Sequence, residues 1–216
     1  MIKRGLLGLV ILIVAALLAV DLVATSTAEH DLASRAQRST GATTSAVSLA
    51  PFPVLYHVVA QSRVPSVNVR LSGVPVGSLR IHQVSLVLSN VRVSRRQLVT
   101  NRRISLTSIE RVAVTADVTS ADLSAAAGRH VQVMGNGQVQ VDVAGIEATV
   151  TPRLEGSSEL VIEAGGLPVL DVDLARIPVL SACSFGLHAS GGQLQLTCAV
   201  EPVPSSVVSA FSGAAA

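Results

Sequence analysis

Histidines, cysteines, carboxylates and a cluster of arginines are the residues of this chain that could do chemistry, and spacing rules most of them out. The histidines are His30, His57, His82, His130 and His188. None stands at metal-ligand spacing from another histidine, a cysteine or a carboxylate. The chain has no GxSxG nucleophile elbow and no phosphate-binding P-loop, and Gly135-Asn136-Gly137 reads as a hairpin turn. Asp171 and Asp173 are two apart in a strand-like run, on the face opposite Leu170, Val172 and Leu174. They read as a solvated pair, not as catalytic carboxylates. A site assembled from distant residues is the alternative, and the low density of histidines, acids and aromatics argues against it. The sequence therefore predicts no catalytic residue, no metal and no cofactor.

Cys183 and Cys198 are the only cysteines. Gly191-Gly192 lies between them as a turn signal separating two strand-like runs. Outside the cytoplasm such a pair oxidises, and a disulfide across a hairpin fits, contributing about 3 kcal/mol. A redox or metal pair would need CxxC spacing or nearby ligands, which are missing. Arg92, Arg95, Arg96, Arg102 and Arg103 form a local basic patch. It lacks the interleaved aromatics that stack on bases, so no nucleic-acid partner is expected. Charge is also split along the chain. Residues 63–111 hold nine arginines and one acid, net +8, while residues 112–216 hold three arginines and ten acids, net −7. The basic half suits anionic headgroups; equally, the halves could neutralise each other across strands.

The amino terminus sets the compartment. Lys3 and Arg4 precede an apolar run over residues 5–20, which resumes after Asp21. A basic flank before an apolar stretch is an export signal. Ser26-Thr27-Ala28 offers cleavage after Ala28, so residues 1–28 read as a signal peptide. The rival is an uncleaved anchor over residues 5–24, since about 20 apolar residues span a bilayer. Either way the rest of the chain is expected outside the cytoplasm, in the periplasm or cell envelope.

The elements that must position these residues follow from the rest of the pattern. Residues 29–37 can form a helix and residues 39–45 a flexible break. From Val47 onward the dominant period is two, which specifies strands. Val67, Val69, Leu71, Leu79 and Ile81 have odd parity; Val84, Leu86 and Leu88 have even parity; Val91 and Val93 are odd again. Each switch predicts a bulge or sharp bend. Turns are expected at Gly73, Gly135-Asn136-Gly137, Gly156, Gly165-Gly166 and Gly191-Gly192. Residues 120–127 read as a short helix with a serine cap that stops at Gly128, and residues 205–211 as a second. The fold class is α+β, mostly antiparallel β, with a long, strongly curved sheet. Hydrophobic residues make up 49% of the chain and aromatics only 2%, so apolar surface is almost wholly aliphatic. Runs such as residues 84–88 and 167–174 are apolar on both faces, which suits either a groove for acyl chains or a sheet covered by helices.

Several local patterns resemble the LmeA-like family of actinobacterial envelope phospholipid-binding proteins, over about residues 28–202. They are Ala28-Glu29 followed by Leu32-Ala33; Pro51-Phe52-Pro53-Val54-Leu55; Ile177-Pro178 leading to Cys183; and Gly191-Gly192 leading through Leu194 to Cys198 and Pro202. Pro51 and Val54 depart from the Gly and second Phe of the family's pattern. The resemblance implies a fold similar to tubular lipid-binding proteins, a twisted sheet wrapped around a helix. It implies phospholipid binding without catalysis, in support of envelope glycolipid or mannan assembly. Residues 29–202 would then be the lipid-binding domain and residues 203–216 a tail. Acyl chains are expected against Leu71, Leu79, Ile81, Val84, Leu86, Leu88, Val112 and Val114. Headgroup or membrane-surface contact is expected from Arg92, Arg95 and Arg96. The alternative is a tethered interaction protein with a dry core, partnering an envelope biosynthesis enzyme.

Overall fold

The structure is a computed structural model that describes residues 26–50, 61–94, 106–143, 145–156, 158–177, 180–205 and 207–208. Helix α1 covers residues 26–40. It starts earlier and ends later than the expected 29–37, and the expected break shrinks to a turn at Gly41 before strand β1 begins. The main sheet contains β1 (Thr44–Ala50), β2 (Arg63–Val76), β3 (Leu79–Val93), β4 (Leu106–Ser108) and β5 (Arg111–Thr119). Helix α2 (Ser120–Ala127) follows, then β6 (Val131–Val133), β7 (Val139–Val143) and β8 (Ile146–Val150) as one small sheet. β9 (Arg153–Glu155), β10 (Glu159–Ala164) and β11 (Leu167–Asp173) form another. β12 (Gly186–Ser190) and β13 (Gln193–Val200) return to the main sheet. Its order is β1-β2-β3-β5-β13-β12, with β4 beside the end of β3, and every pairing is antiparallel.

The parity switches appear as bends shared by two strands. On β2 the buried set runs Val64, then Val67-Val69-Leu71, then Val74-Val76. On β3 it runs Leu79-Ile81, then Val84-Leu86-Leu88, then Val91-Val93. Both strands switch at the same two levels, and their register does not slip between them. Each level carries one left-handed residue: Gly73 on β2 (φ 65°) and Asn90 on β3 (φ 52°). Gly73 is thus not a chain-reversing turn. It sits inside β2, and the hairpin closes at Gly77. The strand period survives because the residue added on one strand is matched by one on the other.

α2 shows why a short helix holds here. Thr119, not Ser120, is its N-cap: the Asp122 N–H donates to Thr119 Oγ1 (3.2 Å), and the Thr119 N–H donates to Asp122 Oδ2 (3.0 Å). This reciprocal capping box satisfies two helix-end donors. Gly128 ends the helix in the left-handed region. Ser120 instead serves β6, where the Val133 N–H donates to its Oγ (2.9 Å), and the Val131 N–H donates to Ser124 Oγ (2.9 Å). Leu123 of α2 joins Val74, Val76, Leu79, Ile81, Leu160, Ile162 and Leu174 in a fully packed core. The expected glycine turns at 135–137, 156, 165–166 and 191–192 connect strands as predicted. Leu174 lies just past β11, in a single 3-10 turn capped by Asp173. Ser205, Val207 and Val208 are helical, and the rest of that expected helix lies outside the described residues.

Cys183 and Cys198 form a disulfide, with Cα atoms 5.7 Å apart. It ties the segment before β12 to β13, so the last hairpin is clamped to the strand that pairs with β5. A disulfide marks an oxidising, extracytoplasmic setting. Among the described residues no helix is long and apolar enough to cross a membrane, and the apolar residues 5–24 lie outside them.

Two measurements check this account. Gly73→Ala is expected to lower stability by more than the roughly 1–2 kcal/mol of a left-handed alanine, because a Cβ there would lie 2.5 Å from Thr43 Oγ1. Gly145→Ala is also left-handed but meets open space, so it should show the conformational part alone. Equal shifts in the urea midpoint would remove the Thr43 contact from the argument. The second concerns the exposed face of β10 and β11. Asp171, by hydrogen bonding and by charge repulsion, raises the pKa of Glu159. The folded state thus takes up this proton at higher pH than the unfolded chain does. The destabilisation by the pair is present above the folded pKa and relieved as pH falls through it. Asp171→Asn should move the Glu159 NMR titration down, and an unmoved titration would refute the pairing.

Candidate functional site

Antiparallel register lines the inner side chains of the main sheet into aliphatic rows. One row runs Leu49, Val67, Leu88, Val112 and Val200. The next runs Val47, Val69, Leu86, Val114 and Cys198. A third runs Ser45, Leu71, Val84, Ala116, Leu196 and Leu187. Directly opposed β-branched and leucine side chains pack across strands, and the surface they make is smooth and carries no aromatic ring.

α1 lies along the β1 margin of these rows. The Leu49 N–H donates to Glu29 Oε1 (2.7 Å), Ser45 Oγ donates to the Ala33 carbonyl (2.7 Å), and Gln37 Nε2 donates to the Thr43 carbonyl (2.9 Å). These three bonds hold the helix antiparallel to β1, and the one from the Leu49 N–H occupies a backbone group that an edge strand leaves open. Leu32, Ala33 and Ala36 pack against the core at helical spacing.

Between helix and sheet runs an apolar cleft. Its floor is Val47, Val67, Val69 and Leu88, its far wall is Val91 and Leu106, and its roof is Leu32 and Ala36. Arg35 and Ser39 supply the polar rim. The space measures about 530 Å³ with its solvent-open part included, and what the walls enclose is narrow. Arg35 is paired with Asp31 one helical turn back (2.6 Å), so a cation sits at the rim without a net local charge.

The eight residues expected to touch acyl chains are all at most 3% exposed. Leu88 alone among them lines the cleft. Leu71, Val84, Leu86, Val112 and Val114 continue the same rows inward. Leu79 and Ile81 lie beyond the Gly73 bend, fully buried on the strand that α2 packs against. The sequence reading missed the helix roof, and the signal for it was present: Leu32, Ala33 and Ala36 form an aliphatic stripe within the expected helix over residues 29–37. It also missed that Val67, Val69 and Val91, recognised as strand positions, face the cleft.

Of the expected headgroup residues, Arg92 is exposed at the end of β3, while Arg95 and Arg96 lie outside the described residues. Cross-neutralisation of the two chain halves reduces, among the described residues, to one ion pair: Arg111 Nε donates to Glu201 Oε2 at 2.6 Å. Arg153 is held by Glu155 and Glu163 within the acidic half. His30, His82, His130 and His188 are exposed and scattered, and His57 lies outside the described residues. Among the described residues no three metal-ligating side chains gather.

Neither the curated proteins nor the solved structures contain a match to this chain. The family model described as LmeA-like phospholipid-binding does match, over residues 19–207. That span takes in α1, every strand and the disulfide, and it names a binding family, not an enzyme family. The chain therefore belongs to the LmeA-like phospholipid-binding family.

Proposed function

We propose that this protein binds a phospholipid without catalysis, outside the cytoplasm in the cell envelope, with an acyl chain laid in the cleft between α1 and the main sheet. The observation that carries the reading is the cleft itself, an aliphatic groove with its polar groups at one rim, in a chain of a phospholipid-binding family. The enclosed part, about 50 Å³, is below the roughly 300–1,000 Å³ of small-ligand sites, so a chain would lie along an open groove or widen it by moving α1. Each methylene transferred from water to such walls contributes about 0.8 kcal/mol. The rows behind Leu88 extend the same aliphatic surface, so Leu71, Val84, Leu86, Val112 and Val114 would receive a chain that enters deeper. Leu79 and Ile81 would back that wall from the core. Exposed arginines, with Arg92 among them, would meet the headgroup. Residues 29–202 would be the binding domain, with residues 1–28 as signal peptide or anchor, and the bound lipid would serve envelope glycolipid assembly.

A second reading draws on the tight packing of the seven expected residues that do not line the cleft. It is a dry core whose surface partners an envelope enzyme. Native mass spectrometry of the protein exported by its host separates the two. Near-stoichiometric phospholipid supports binding. A lipid-free mass, with no uptake from added vesicles, would place the dry-core reading first.

The cleft has its own test. Ala36→Phe puts a ring into the roof from a partly exposed helix position, so the fold should persist by circular dichroism. Displacing about three methylenes of chain contact should weaken lipid uptake on the order of 50-fold. Unchanged uptake by the folded variant would remove the cleft from the site.

A further inference from the structure

Two features of the chain meet at one end of the β2–β3 ribbon. The first is the start of α1. Glu29 reaches Leu49 near the helix start, while Gln37 reaches Thr43 near its finish, and a Cβ at Gly41 would lie 3.3 Å from Pro75 Cγ. The helix thus begins beside the end where β2 starts and β3 finishes, and the apolar residues 5–24 immediately precede it.

The second is a pair of like charges. Arg63, the first residue of β2, lies directly opposite Arg92 on β3, and both are exposed. Like charges directly opposite each other in a sheet destabilise it. Among the described residues neither arginine has a carboxylate partner; Arg63 Nε donates only to Gln61 Oε1 (3.1 Å). The two border one open depression with Ser62, Val93 and Thr107. Two guanidinium groups held side by side without a carboxylate form an arrangement that an external anion completes.

Of the carboxylates nearby, Glu29 accepts from Leu49, Asp31 pairs with Arg35 and Glu201 pairs with Arg111. Glu110 alone of these is left to oppose the cations.

We propose that this end, with Arg63 and Arg92 as its fixed cations, docks the protein on an anionic bilayer surface and turns the Val91–Leu106 end of the cleft toward the lipid. The docking stands on the Arg63–Arg92 charge pair and on where α1 begins; only its consequence for the cleft rests on the lipid-binding reading.

The test uses the full chain, diluted from detergent into preformed vesicles of phosphatidylcholine, alone or mixed with phosphatidylglycerol. Residues 5–24 can associate with both vesicle types, so the ratio of binding to the two isolates the electrostatic part. Arg63→Gln with Arg92→Gln should reduce that ratio by about 30-fold, roughly fivefold for each arginine, and the effect should shrink as salt rises. Arg70→Gln with Arg80→Gln removes the same charge from exposed positions further along the ribbon and should leave the ratio within about twofold. Equal losses from the two pairs would mean that net charge alone acts, and the docking end would be wrong. No loss from the first pair would overturn it as well. Co-purified lipid is measured on the same proteins. An absent ratio change with lipid retained defeats docking alone, whereas lipid-free protein that still docks defeats the cleft reading alone.

Discussion

Gly73 and Asn90 hold this architecture together: each takes a left-handed conformation inside a strand, at a level where the partner strand also turns over its buried face. A strand pair as long as β2–β3 coils strongly, and a strict period of two would carry its apolar side chains out of the core along the way. Turning both strands over at once keeps the ladder in register and keeps the apolar residues inside. The middle segment thereby faces α1, and β3 also packs against α2. A single-strand insertion would have shifted the register and broken the rows that cross five strands.

Those rows explain how α1 can stand partly clear of the sheet. The helix is fixed at its margin by side-chain–backbone bonds to β1 and to Thr43 just before it, and by Leu32, Ala33 and Ala36, which pack against the core. The stripe is made of small residues except for Leu32, so it cannot fill the space above Val67, Val69 and Leu88. The cleft is what remains when a narrow helix face meets a broad concave sheet. On the far side of the Gly73 bend the situation reverses. There Leu123, Leu160, Ile162 and Leu174 are fully buried in one core with Leu79 and Ile81.

Much of this was legible in the sequence because it depends on local period. The parity switches after Ile81 and after Leu88 marked both bends, the glycine pairs marked the hairpins, and Cys183 and Cys198 marked the clamp. Gly73 misled because glycine in a left-handed conformation looks the same in a turn and in a paired bend; only its partner strand decides. Ser120 misled as a cap because Thr119 has the same chemistry one residue earlier. The site was the least legible part. Leu88 and Leu79 have the same residue type and the same period, yet one faces a cleft and the other a packed core. That difference is set by which helix lies above each, a long-range fact that strand periodicity does not carry.

An all-aliphatic cleft has a consequence for selectivity. Val, Leu and Ala walls offer neither hydrogen bonds nor ring faces, so they distinguish ligands by the length and width of apolar chain they bury. One extra or missing methylene in such a pocket shifts affinity by only about 1–3 kcal/mol. Choice among lipids of similar chain length must then come from polar groups outside the walls. Arg35 is already paired with Asp31 at the rim, which leaves it less free to attract an anion. Among the described residues Arg63 and Arg92 face each other without a carboxylate, at the end of the ribbon where the cleft runs out to Val91 and Leu106. On the proposed reading, the apolar rows would take the chain and the cations at one end would take the charge, which would separate what fixes affinity from what fixes orientation.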